Sequence, residues 1–145
     1  MIKAQNLVAG QWQDNLKAST FYTLNPITNK PLTTQFQEAS SSQIHDSLIK
    51  ASTIFESYAS TSFKVRIEFL QSIQKELNKS SNEILKTYQE ESALPRPRAE
   101  GEFQRTIDQI QRYIELLDEG TFIQPKINTS GPDLRKILYP IGPIA

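Results

Sequence analysis

Between Ser40 and Gly120 apolar residues recur at every third or fourth position, broken only at Asn78-Lys79-Ser80 and at Leu94-Pro95-Arg96-Pro97. That spacing is the period of one face of an α-helix, so the stretch reads as four amphipathic helices, each burying one face. The first, roughly Ser42 to Ser60, follows the capping-box pair Ser40 and Gln43 and carries Ile44, Leu48, Ala51, Phe55 and Tyr58. The second takes Ser62 as its N-cap and buries Phe63, Ile67, Leu70, Ile73 and Leu77. Ser80 and Glu83 repeat the capping-box spacing before a short third helix with Ile84, Leu85 and Tyr88, which the prolines at 95 and 97 end. In the fourth, Phe103, Ile107, Ile110, Ile114 and Leu117 form the stripe, and Gly120 stands where a helix C-cap takes a left-handed residue. Glu100 and Glu102 in its first turns suit the positive end of the helix dipole.

Both flanks read as extended chain. Leu7, Val8 and Trp12 surround Ala9-Gly10-Gln11, a hairpin turn with positive φ at Gly10, and Asn25 to Pro31 is a second turn. After Gly120, Thr121-Phe122-Ile123 and Leu134 to Tyr139 read as short strands around the loop Asn128 to Asp133. Tyr139 to Ala145 looks like the approach to a further strand, and the abrupt apolar ending is expected of an incomplete chain. The organisation is therefore hairpin and turns over 1–41, helices over 42–120, strands over 121–140, and a lead-in over 141–145.

Composition narrows the function classes. The 145 residues, 37% hydrophobic and 22% charged, suit an ordinary globular protein. Lys and Arg number 16, matching 16 Asp and Glu, so the chain has no electrostatic footprint for nucleic acid. No apolar run could span a bilayer and the first ten residues lack a secretory pattern, which makes the cytoplasm the expected compartment. With no Cys and one His, disulfides, thiolate metal sites and cysteine nucleophiles are unavailable within these residues, and a His-based metal site or Ser-His triad is hard to assemble.

The residues that could carry chemistry have plainer readings. Glu90/Glu91 and Glu100/Glu102 diverge on a helix and lack the apolar surroundings that raise a carboxyl pKa, so they read as solvated faces. His45 stands in no metal-binding spacing and reads as a surface residue. Arg96, Arg98, Arg105 and Arg112 resemble an anion clamp, but Glu100, Glu102, Asp108 and Glu115 are interleaved with them, favouring surface ion pairs. Gly101 costs about 1 kcal/mol relative to Ala in a helix interior, and close packing is the expected reason for it. Phe55, Tyr58, Phe63, Phe69 and Tyr88 read as core rather than as a cofactor box.

In combination these segments resemble a known family. Val8-Ala9-Gly10-Gln11-Trp12, then Asn25-Pro26-Ile27-Thr28-Asn29-Lys30, then Arg66 with Phe69-Leu70, then Glu91-Ser92-Ala93-Leu94-Pro95 follow the order at the start of an NAD(P)-dependent aldehyde dehydrogenase. Asn29 stands where the family's turn has glycine, and Ser92-Ala93 where its third helix ends in Thr-Gly. The stretch Arg98 to Thr106, with Gln109 to Tyr113 and Glu119 to Phe122, is similar to the branch that oxidises 2-oxoglutarate semialdehyde (2,5-dioxopentanoate). Pro140-Ile141-Gly142-Pro143-Ile144-Ala145 resembles the family's lead into the first Rossmann-type strand.

The resemblance implies an α/β fold of which this chain would be the N-terminal segment: a β-hairpin, about four helices and two oligomerisation-type strands around Phe122 and Leu138, ending before the Rossmann-type strands. It implies chemistry in which a cysteine thiolate attacks the aldehyde, NAD or NADP accepts hydride, and a glutamate activates water. None of those groups carries over to a position here, so no catalytic, cofactor-binding or metal residue is assigned, and the chain alone is expected to be inactive and to bind no cofactor. Its partners would be the rest of the dehydrogenase and a second subunit, in a homodimer or homotetramer. The competing reading is a self-contained helical module that binds another protein. The two differ in that a segment made to lie against a further domain should leave apolar helix faces exposed.

Overall fold

Among the described residues every strand pairs with its neighbour in sequence. The computed structural model describes residues 4–144; residues 1–3 of the expected first segment and Ala145 of the expected lead-in lie outside the described residues. β1 (Asn6–Val8) and β2 (Gln11–Gln13) form an antiparallel hairpin with Val8 opposite Gln11. Its two turn residues, Ala9 and Gly10, have φ of 50° and 86°, the positive pair that a two-residue hairpin turn requires.

A second hairpin joins β3 (Thr20–Asn25) to β4 (Lys30–Gln37), where the sequence indicated only a turn. The Asn25 carboxamide oxygen accepts from the backbone N–H of Ile27 at 2.9 Å and of Thr28 at 3.2 Å, and Asn29 takes φ 52° in place of the expected glycine. Cross-strand stacking of Phe21 on Phe36, with ring centroids 5.5 Å apart, supports the pairing.

The helices begin where side-chain chemistry dictates. α1 (Ser41–Ala59) has both bonds of its capping box: Ser40 Oγ accepts from Gln43 N–H, and Gln43 Oε1 accepts from Ser40 N–H. α2 (Phe63–Lys79) is capped by Ser62 Oγ. The box expected at Ser80 does not form. One residue separates α2 from α3 (Ser81–Ser92), and Ser80 keeps φ −93° and ψ 5° with its N–H bonded back to Glu76 and Leu77, so its side chain makes no cap bond.

α3 stops at Ala93, which adopts the left-handed region at φ 59°. A Cβ there is strained by about 1–2 kcal/mol, partly offset because glycine loses more chain entropy on folding. Ala93→Gly should therefore raise the unfolding free energy by about 0.5–1 kcal/mol, seen as a higher midpoint in urea.

α4 (Arg96–Glu119) starts earlier than its stripe indicated. Pro97 lies inside its first turn, where the missing N–H has no helical partner to lose. That start leaves no acidic residue in the first turn, so Glu100 and Glu102 do not serve the dipole as expected. Gly120, at φ 67°, closes the helix.

The expected strand at Thr121–Ile123 is instead a single 3₁₀ turn. Left-handed Gly120 and Gln124 pinch it from both ends, and Phe122 packs on Phe63 of α2 with ring centroids 5.4 Å apart. The two strands beyond the helices are β5 (Lys126–Asn128) and β6 (Leu134–Lys136), shorter than the expected Leu134 to Tyr139, and Leu138 N–H bonds to Ile123 O at 2.9 Å.

The core is thin. α2 and α3 pack against α4 around Leu85, Ala99, Ile107 and Ile114, while α1 meets the remainder chiefly through β1, where Val8 is buried. The accessible surface is 11419 Å², against about 7,600 Å² for a folded monomer of this mass. Much of the apolar surface that the helical pattern assigns to an interior is therefore exposed to solvent.

Candidate functional site

One hollow follows from that exposure. The apolar stripe of α1, with Ala51, Ile54, Phe55 and Tyr58, forms one wall of a groove of about 810 Å³. Leu7 and the turn Ala9-Gly10 close one side, and the extended segment through Pro140, Pro143 and Ile144 closes another. Among the described residues, the charged side chains that line it are Lys50 and Arg66. Leu48 and Ile44, further along the same stripe, are 50% and 53% exposed. A surface of this kind excludes water against a matching apolar surface.

Arg66 is the most connected side chain at this site. From α2 its Nη2 donates to Ala59 O at 2.6 Å and Tyr58 O at 3.4 Å, at the end of α1, and its Nε donates to Thr61 Oγ1 at 3.0 Å. The guanidinium carbon lies 5.6 Å from the Tyr58 ring centroid and 5.9 Å from that of Phe63. The sequence pattern marks Arg66 only as part of the family resemblance. An Arg a few residues beyond a helix end is the signal that could have identified it as a cap.

The other residues weighed from sequence are scattered. His45 is exposed on α1, Glu90 is half-buried and Glu91 exposed on α3. Arg96 pairs with Glu100 at 2.6 Å, and Glu102 bridges Arg98 at 2.6 Å and Arg105 at 2.9 Å, as the ion-pair reading anticipates. Asp108 and Glu115 instead accept from Gln104 and Gln111. These pairs lie on one helix with their arginines exposed, and contribute little to stability. Among the described residues no group of three or more His, Cys, Asp or Glu is placed to hold a metal ion, and no helix is long and apolar enough to cross a membrane.

Two expectations about burial fail. Of the aromatic stripe, Phe55 and Phe63 are half-buried, but Tyr58, Phe69 and Tyr88 are exposed. Gly101 is not closely packed: a Cβ there would meet nothing within 4 Å. Gly101→Ala should thus stabilise this chain by about 1 kcal/mol in urea unfolding, and a loss would mean that another surface lies against it.

The comparisons with known proteins agree on one family. A sequence model described as the aldehyde dehydrogenase family matches residues 12–145. The alpha-ketoglutaric semialdehyde dehydrogenase of Acinetobacter baylyi is 26% identical over 136 residues, covering 88% of this chain and 26% of that protein. The crystal structure of an aldehyde dehydrogenase from Bartonella henselae superposes with a TM-score of 0.77 at 21% identity, over 89% of this chain and 27% of that one. A variant betaine aldehyde dehydrogenase from Staphylococcus aureus, in complex with NAD+, gives 0.78 at 11% identity, over 89% and 26%. The chain spans about a quarter of the length of each.

Proposed function

Because the chain belongs to the aldehyde dehydrogenase family, we propose that it is the N-terminal part of a cytoplasmic enzyme that oxidises an aldehyde to a carboxylate with NAD+ or NADP+. The substrate in this reading is 2-oxoglutarate semialdehyde, supported by the relative from Acinetobacter baylyi and by the Arg98 to Thr106 pattern. NAD+ or NADP+ as hydride acceptor is supported by the family and by the neighbour that carries NAD+. The chemistry needs a thiol nucleophile, and none of the 145 residues is Cys, so the reacting groups belong to residues other than these.

The share of this chain is packing and assembly. The observation that carries this is the exposed apolar face of α1, which the remaining dehydrogenase chain would cover; β5 and β6 would join the sheet that pairs subunits in a homodimer or homotetramer.

The test is the product of the complete coding sequence, purified and weighed, then given 2-oxoglutarate semialdehyde with NAD+ or NADP+. A mass several times 16.5 kDa and aldehyde-dependent formation of reduced nicotinamide are expected, with none from residues 1–145 alone. A longer product that reduces neither cofactor with any aldehyde would sink the reading.

A further inference from the structure

We propose that Arg66 is a positioning residue that latches the C-terminal end of α1 to α2, and so sets the shape of the groove. This rests on the local geometry and not on the dehydrogenase reading. The last carbonyls of a helix have no partner within it, and α1 has no basic residue in its own last turn to satisfy them. Arg66 supplies that charge from the next helix. One guanidinium serves Ala59 O and Tyr58 O through Nη2 and Thr61 Oγ1 through Nε, while Thr61 Oγ1 itself donates to Tyr58 O at 2.7 Å.

The consequences extend beyond a cap. α2, α3 and α4 share a core, whereas α1 is held mainly by β1 near one side and by this latch at its end. Tyr58 and Arg66 also line a second hollow of about 410 Å³ with Leu70, Tyr113, Leu116 and Phe122. The guanidinium thus stands between two hollows, and releasing it would let α1 swing and alter both. A lysine ammonium is a point charge on a flexible stem and cannot reproduce the fork.

The test is hydrogen exchange, read by mass spectrometry, on the product of the complete coding sequence and its Arg66→Lys and Thr61→Val variants. In Arg66→Lys, amides of residues 54–61 should exchange about tenfold faster, with residues 63–79 and 96–119 changed less than about twofold. Thr61→Val, which removes the Nε acceptor, should give about threefold in the same residues. Unchanged exchange over 54–61, or equal acceleration in all helices, would overturn the proposal. If Arg66→Lys does not fold, Thr61→Val alone decides by the same criterion.

Discussion

Expressed alone, residues 1–145 should self-associate and bind an apolar fluorescent dye with strong enhancement. The exposed area exceeds that of a folded monomer of the same mass by roughly 3,800 Å², several times the roughly 800 Å² that each partner gives to a standard interface. The excess is apolar where it matters, on α1 and along the segment after β6, where Ile141 and Ile144 are fully exposed. Size-exclusion chromatography with light scattering and a dye titration measure both effects. A monodisperse monomer without dye binding would remove the argument that another surface covers α1, and would favour a self-contained module.

Ile114→Ala should lower the unfolding free energy by about 3 kcal/mol, and Leu48→Ala by less than about 1 kcal/mol in the same chain. Both remove an aliphatic side chain from a helical stripe, but Ile114 is 6% exposed and Leu48 is 50% exposed. Truncating Ile114 leaves a cavity between α4 and its neighbours, while Leu48 surrenders contacts only partly made. Since small domains hold about 5–15 kcal/mol, the first variant should keep only about 2 kcal/mol at the low end of that range and unfold at a markedly lower urea concentration. In the product of the complete coding sequence, a much larger loss for Leu48→Ala is expected if α1 is covered there. Urea unfolding followed by circular dichroism gives both numbers, and equal losses in the short chain would contradict the burial pattern.

The helices were legible because their ends are written in side chains: Ser40 with Gln43, Ser62, and Gly120 each satisfy or release backbone groups at fixed positions. Ser80 shows the limit of that logic, since a capping pair is useless when the preceding helix still holds the backbone. Thr121-Phe122-Ile123 has the composition of a strand, yet left-handed Gln124 and the contact of Phe122 with Phe63 turn it into 3₁₀ structure; neither is visible in local propensity. The pairing of β3 with β4 was hidden by Pro31 and the polar residues after it. Periodicity also told which face of α1 is apolar, but nothing about what lies on it. The groove was invisible because Gly10, Tyr58 and Pro143 meet only in three dimensions.

The pairing of each strand with its sequence neighbour determines when this segment can fold. Hairpins close in about 1–10 μs and helices faster, whereas a ribosome adds about 5–20 residues per second. Each described strand has a hairpin partner within residues 6–136, so this secondary structure can form as the residues leave the ribosome. The apolar side of α1 is then displayed for seconds during synthesis, and an early nascent-chain chaperone contact should centre on residues 44–58.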